Sequence, residues 1–230
     1  MQEDKENTWP KLRLFGRRRG RPLRAGRAVL MDTLLPKLKI ALPEEGKSLL
    51  PLGLFRPEVR EVWLEIGFGG GEHLAAQAAS NPSVGLIGCE PFLDGVASLV
   101  RHVDEQGLQN VRILPDDARL LLDCLPDQSL TRCFVLFADP WPKKRHAERR
   151  FIGKENLGRL ARVMQSGGQL RLATDVRGLA QWMRERCNEH PAFVCLYDGP
   201  EPPADWIPTR YEQKGRAAGR EPEYLIYKRV

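Results

Sequence analysis

From Val62 onward the chain alternates short apolar runs with amphipathic stretches of helix length. Residues 62–66 predict a first strand, and 72–79 a helix closed by Ser80-Asn81-Pro82. Val84–Cys89 predicts a second strand, 92–105 a helix ending before Gly107, and Val111–Leu114 a third strand. A short helical piece over 120–125 stops at Pro126. Residues 132–138, apolar after Arg132, predict a fourth strand of the kind buried on both faces. The helix predicted over 151–164 is stopped by Gly167-Gly168, ahead of a fifth strand over 169–173. Residues 176–187 place Val176, Leu179, Ala180, Met183 and Cys187 on one helical face. Residues 193–197 and 224–227 supply two late strands, with no helix-length pattern directly before the last. This alternation predicts an α/β fold, an open and mostly parallel sheet covered by helices on both faces. The last two strands predict an antiparallel, hairpin-like edge.

Ahead of this region, residues 30–42 are apolar, interrupted by Pro36, and 43–57 read as a loop-rich connection. Lys11 to Arg27 holds eight Lys or Arg and no acid, with Gly16, Gly20, Pro22 and Gly26 interspersed. That composition predicts a flexible basic arm and not a helix. The expected organisation is an arm over 1–30 and a single domain over 31–230. A chain of 230 residues is long enough for one substantial domain. Its net charge of +6 fits an anionic partner. The five cysteines lack C-x-x-C spacing, and most read as small buried residues, not as disulfides or zinc ligands. His73, His102, His146 and His190 lack metal-ligand spacing and read as surface or structural, so no metal is expected. No apolar run approaches the roughly 20 residues that span a bilayer. Arg17-Arg18-Arg19 leads into Gly, Arg and Pro, not into a signal-peptide core. A cytoplasmic protein without membrane contact is the expectation.

The candidate chemistry begins at Val62-Trp63-Leu64-Glu65-Ile66-Gly67-Phe68-Gly69-Gly70-Gly71-Glu72-His73. A strand, a glycine-rich turn and a helix in that order build a nucleotide-type cofactor site at the carboxyl end of a parallel strand. Glu72 stands in place of the last glycine of a dinucleotide motif, and Glu65 flanks the turn on its other side. Two acids there repel a pyrophosphate and attract a cation. S-adenosylmethionine, with a sulfonium, an ammonium and no phosphate, fits that sign. Further acids follow successive strands. Glu90 ends the second strand, where a carboxylate accepts from both ribose hydroxyls. Asp116 or Asp117 follows the third, placed to accept from an adenine amine. Asp139-Pro140-Trp141-Pro142 follows the fourth. Any one of these acids alone reads as a loop or N-cap residue; four after four strands read as a pocket. The run Lys143-Lys144-Arg145-His146-Ala147-Glu148-Arg149-Arg150 beside it reads as a phosphate-backbone clamp.

Taken together, the glycine turn, Glu90-Pro91, Asp117-Ala118, Asp139-Pro140-Trp141 with Lys143 and Arg145-His146, Thr174-Asp175, and Thr209-Arg210-Tyr211-Glu212-Gln213-Lys214-Gly215 resemble the bacterial tRNA (guanine-N7)-methyltransferases. The resemblance runs from the basic arm to the C-terminus. It implies a seven-stranded, Rossmann-like class I methyltransferase sheet with an antiparallel edge strand, and methylation of a guanine in the tRNA variable loop. By motif match it implies that Glu65, Gly67, Gly69, Glu90, Asp117 and Asp139 contact S-adenosylmethionine, with Asp139 also the catalytic acid. It implies that Lys143, Asp175, Thr209, Arg210, Tyr211 and Glu212 contact the substrate. Arg145, His146, Arg149 and Arg150 would touch RNA. Ala138 stands where many members carry proline.

Guanine N7 carries an in-plane lone pair and no proton, so no general base is expected and catalysis is positioning and electrostatics. Asp139, Asp175 and Glu212 are all candidates to hold the guanine edge. The nearest alternative is an RNA amino-methyltransferase, which uses an acid or Asn followed by Pro-Pro-aromatic; here one proline separates Asp139 from Trp141. A non-catalytic RNA-binding module is a second, and an NAD-dependent oxidoreductase a distant third. A tRNA partner, no obligatory protein partner, and a monomer or homodimer are expected.

Overall fold

The computed structural model describes residues 15, 17–20 and 22–230; residues 1–14, 16 and 21 of the expected arm lie outside the described residues. The elements follow in the order α1 (Ala25–Thr33), α2 (Leu35–Leu38), β1 (Glu61–Ile66), α3 (Glu72–Ser80), β2 (Val84–Cys89), α4 (Leu93–Gln106), β3 (Val111–Leu114), α5 (Ala118–Cys124), β4 (Leu130–Leu136), α6 (Lys154–Val163), β5 (Met164–Thr174), α7 (Arg177–Glu189), β6 (Phe193–Gly199), α8 (Arg210–Ala217) and β7 (Glu223–Arg229). Pro51–Leu54 and Lys144–Arg149 form 3-10 turns. The seven strands form one sheet in the order β3-β2-β1-β4-β5-β7-β6. All pairings are parallel except the two made by β7. Chain order reverses between β1 and β4, and the carboxyl ends on either side of such a switch point are where ligands bind.

Strand periodicity of two sorts the side chains onto two cores. Val62, Leu64 and Ile66 join Cys133, Val135, Leu170 and Leu172 beneath α5, α6 and α7. Trp63, Phe134, Leu136 and Tyr224 face the other way, against α2, α3 and α4. Glu65 therefore falls on the α3 face, although it is flanked in sequence by two residues of the opposite core.

Three expectations change. Residues 25–27 belong to the helix α1, so the helix-free reading of the arm fails there, and the boundary expected at residue 30 falls within that helix. Ala25, Ala28, Leu30 and Met31 favour helix, and Leu30 and Met31 pack on the second core. A helix, α8, does precede the last strand. The antiparallel strand is β7, and it lies one place in from the edge, between β5 and β6. Tyr224, Leu225, Ile226 and Tyr227 are all buried, so β7 needs a partner on each side, whereas Val194 and Leu196 of β6 are exposed. Among the described residues no helix is long and apolar enough to cross a membrane.

Candidate active site

β1 runs into a turn in which Gly67, Gly69 and Gly71 take φ of 72°, 55° and 79°, backbone that side chains rarely adopt. Helix α4 packs directly on this turn. A Cβ added to Gly95 would meet the Gly69 carbonyl oxygen at 2.3 Å. Two cavities open on either side, both lined by Gly67, Gly69 and Phe137. The first, about 510 Å³, lies over the ends of β1, β2 and β4, within the size range of cofactor sites. The second, about 360 Å³, lies between the turn and α8. A more voluminous groove of about 1010 Å³ runs between α1 and α4, away from the strand ends.

In the first cavity the Glu90 carboxylate is 9% exposed. The Gly69 N–H donates to one of its oxygens and the Phe92 N–H to the other, each at 2.9 Å. Burial raises its pKa above the ordinary carboxylate value, the two N–H bonds oppose that, and the nearby Asp139 and Glu65 charges add to it. Asp117 caps α5, accepting from the Arg119 N–H at 2.9 Å, and takes the Arg119 guanidinium on both oxygens. Asp116 pairs with Arg18 and accepts from the Asp117 N–H. Of these two acids Asp117 lines the cavity and Asp116 does not. Asp139 is exposed in the same cavity and has no hydrogen bond or ion pair among the described residues.

The loop that carries Asp139 is bracketed by two aromatic residues in left-handed backbone, Phe137 at φ 50° and Trp141 at φ 42°. Each such residue costs about 1–3 kcal/mol and persists only when its surroundings enforce it. The Phe137 N–H donates to the Ala173 carbonyl at 2.8 Å. Arg150 donates to the Pro140 and Trp141 carbonyls, each at 3.1 Å, with its guanidinium over Trp182. Arg150, expected on RNA, is thus committed to shaping the loop. Arg149 stacks on Phe15 and Trp141. Lys143 and Arg145 are exposed beside it. His146 lies edge-on to Trp141. Lost hydration and the Arg149, Arg145 and Lys143 cations push its pKa down.

The second cavity is lined by Glu65, Glu72 and His73 on one side and Thr209, Arg210, Tyr211 and Lys214 on the other. Thr209 caps α8, its Oγ1 accepting from the Glu212 N–H at 2.9 Å. Arg210 pairs with Glu72 at 3.2 Å, and the Tyr211 ring rests 5.4 Å from that of Phe137. Glu212 is 2% exposed and turned away. It accepts from Trp206 Nε1 at 2.9 Å, from the Tyr224 hydroxyl, and from Arg216 Nε at 3.4 Å. The Asp175 side chain is 4% exposed and paired with Arg220 Nε at 3.0 Å. Neither Asp175 nor Glu212 lines either cavity. The structure thus gathers Glu65, Gly67, Gly69, Glu90, Asp117 and Asp139 around one turn. It sets Thr209, Arg210 and Tyr211 across from them and leaves Asp175 and Glu212 behind α8.

Residues outside the sequence-based selection also line the cavities. Phe15 and Arg17 reach the first, Phe137 lines both, and His73 is buried against the second. Nothing in the local spacing marks Phe15 or Arg17. His73 carried a usable signal, because the first turn of α3 must pass the α3 face of β1, where strand parity puts Glu65.

A family model described as "Putative methyltransferase" matches residues 59–224, the stretch that contains both cavities. Fold, acid-lined cleft and family match together define a class I S-adenosylmethionine-dependent methyltransferase. The tRNA (guanine-N(7)-)-methyltransferase of Rhodospirillum rubrum is 52% identical over 223 residues, covering 94% of this chain and 88% of that one. That of Caulobacter vibrioides is 50% identical over 206 residues, covering 88% and 89%. The chain belongs to the tRNA (guanine-N(7)-)-methyltransferase family. The solved 16S rRNA methyltransferase KamB superposes with a TM-score of 0.57 over 76% of this chain and 90% of that one, at 17% identity, a likeness of fold alone.

Proposed function

We infer that this enzyme transfers the methyl group of S-adenosylmethionine to N7 of a guanine in the variable loop of tRNA, forming 7-methylguanosine. The observation that carries the activity is 52% identity across 94% of the chain to a relative of that name. The first cavity fits the donor's chemistry. Asp139 has no partner among the described residues and Glu90 is held by backbone N–H groups alone, so neither carboxylate meets a side-chain cation that would compete with a cationic donor. When bound, S-adenosylmethionine supplies an electrophilic methyl on a positively charged sulfur.

The chain's own residues bind, orient and stabilise. Glu90 accepts from the ribose hydroxyls, and Asp117 takes the adenine amine on carboxylate oxygens that it shares with the Arg119 N–H and guanidinium. Glu65 and the turn at Gly67 and Gly69 hold the remainder of the donor. The donor reaches past the turn to Glu65, which lines the second cavity, and the target base enters that cavity along the wall of Thr209, Arg210 and Tyr211. Asp139 lies two residues after Phe137, one of the residues common to both cavities, and stabilises the positive charge that develops on the purine as N7 is alkylated. Of the three acids considered for the guanine edge, Glu212 and Asp175 are already paired, which favours Asp139. No base is needed, because N7 carries no proton.

N7 lies in the deep groove of A-form RNA, so an exposed loop guanine suits the site better than one in a stem. Lys143, Arg145, His146 and Arg149 lie along the approach and grip phosphates, with the basic arm contributing. We place the enzyme in the cytoplasm, as a monomer or homodimer without an obligatory protein partner. All five cysteines are free and four are buried, which suits a reducing compartment. The test is mass analysis of nucleosides from unmodified tRNA incubated with enzyme and donor. 7-Methylguanosine is expected. N6-methyladenosine would make the enzyme an amino-methyltransferase, and donor binding without any methylated nucleoside would make it an RNA-binding module.

A further inference from the structure

Strand parity turns Glu65 onto the face of β1 that α3 covers, and the first turn of α3 brings His73 against it. Both residues are 3% exposed. His73 Nδ1 lies 2.8 Å from Glu65 Oε2, and its other nitrogen, Nε2, lies 3.2 Å from the Gln77 amide nitrogen. Gln77 is itself oriented. Asn81 Nδ2 lies 2.8 Å from the Gln77 carbonyl and 3.4 Å from Gln77 Oε1, which turns the Gln77 NH₂ toward the imidazole. An amide NH₂ only donates, so Nε2 must accept and the ring proton sits on Nδ1. Packing closes the other directions. Phe134 of β4 stands edge-on at 5.1 Å and Trp206 lies at 6.4 Å. The Trp206 N–H is spent on Glu212, itself held by Tyr224 and Arg216, and Glu72 at the cavity rim pairs with Arg210. Glu65 is therefore the charged group that directly faces the ring.

We propose that His73 is a positioning residue which, as the neutral Nδ1–H tautomer fixed by Gln77, holds the Glu65 carboxylate toward the second cavity without cancelling its charge. An imidazolium in the same place would neutralise Glu65 before a cationic donor arrived. A neutral donor of one hydrogen bond fixes the rotamer and leaves the anion intact, as outer hydrogen-bond partners do for ligating carboxylates. The proposal rests on the assignment of Glu65 to S-adenosylmethionine.

The test is calorimetric binding of S-adenosylmethionine and steady-state kinetics on the full chain. His73→Leu removes the donor and is expected to weaken binding about tenfold, the scale of one hydrogen bond to a charged group. At saturating donor and tRNA its kcat should stay within about twofold, because no group at the reacting atoms has changed. His73→Asn, whose amide NH₂ reaches the place of Nδ1, should recover affinity to within about threefold. In a Glu65→Ala background His73→Leu should add nothing, because the coupling is between these two residues. Nitrogen-15 spectra of the wild type should show His73 Nδ1 protonated and Nε2 bare. If His73→Leu does not fold, Gln77→Leu takes its place, with an expected loss of about threefold in affinity and unchanged kcat. Wild-type affinity in His73→Leu, or in Gln77→Leu where that takes its place, equal losses in His73→Leu and His73→Asn, or a doubly protonated ring would each overturn the proposal. A Glu65→Ala protein that binds the donor normally would instead remove the assignment of Glu65 itself.

Discussion

The two sides of the turn at Gly67 and Gly69 treat their acids in opposite ways. Toward β2 and β4, Glu90 is held by two backbone N–H groups and Asp139 by no described partner. Toward α8, carboxylates meet side chains: Glu72 with Arg210, Asp175 with Arg220, and Glu212 with Trp206, Tyr224 and Arg216. An acid held by backbone alone has its position fixed while no side-chain cation competes for it. An acid that meets a guanidinium, an indole and a phenol is spent on the fold. Glu212 therefore ties α8 to β7, while Glu90 lines the first cavity with no side-chain partner among the described residues. Asp117, doubly engaged by Arg119, is the exception on the first side.

Exchanging acids on the two sides should separate stability from binding. The largest effect is expected for Glu212→Ala. It leaves the buried Tyr224 hydroxyl and the half-buried Trp206 N–H without this acceptor and should cost about 3 kcal/mol in denaturant unfolding, with donor affinity unchanged. Equal stability would mean that Glu212 is not the anchor of α8. Glu90→Gln should do the reverse, weakening the donor about tenfold without destabilising the fold. Burial raises the Glu90 pKa, so the folded state favours its protonated form. The stability contributed by this group is present at low pH and lost as pH rises through its folded pKa. Donor binding runs the other way, full where Glu90 is ionised and falling as pH drops through that raised pKa. Glu90→Gln should flatten this acid limb, measurable by calorimetry across the acidic range; an unchanged limb would assign it to another group. The smallest effect belongs to the basic loop. With about six phosphate contacts, tRNA affinity should fall with salt at a log–log slope near −5, and Arg145→Ala should reduce that slope by about 1. An unaltered slope would take Arg145 off the RNA.

The first side was largely legible in the sequence and the second was not, for physical reasons. β1 to β4 are local apolar runs whose ends fall at glycines and acids, so reading along the chain located Glu90, Asp117 and Asp139 at the cleft. α8 escaped because Arg210, Gln213, Lys214 and Arg216 leave it no apolar stripe, and periodicity is blind to a polar helix. Its signal was of another kind: Thr209-Arg210-Tyr211-Glu212 has the spacing of a capping box, and Thr209 does cap the helix. The pairings of Glu212 with Tyr224 and of Asp175 with Arg220 depend on where β7 inserts. That insertion is decided by the two-sided burial of Tyr224 to Tyr227, not by any local pattern. The committed role of Arg150 was equally hidden, since a charge run does not announce which of its members will bond loop carbonyls.

Single-turnover methyl transfer with Asp139→Ala, at saturating S-adenosylmethionine and tRNA, tests the central claim most directly. Glu90→Ala serves as its comparison. The account predicts that Asp139→Ala slows the transfer step about 100- to 1,000-fold while still binding the donor, and that Glu90→Ala, once saturated, transfers at nearly the wild-type rate. A wild-type transfer rate in Asp139→Ala would contradict it.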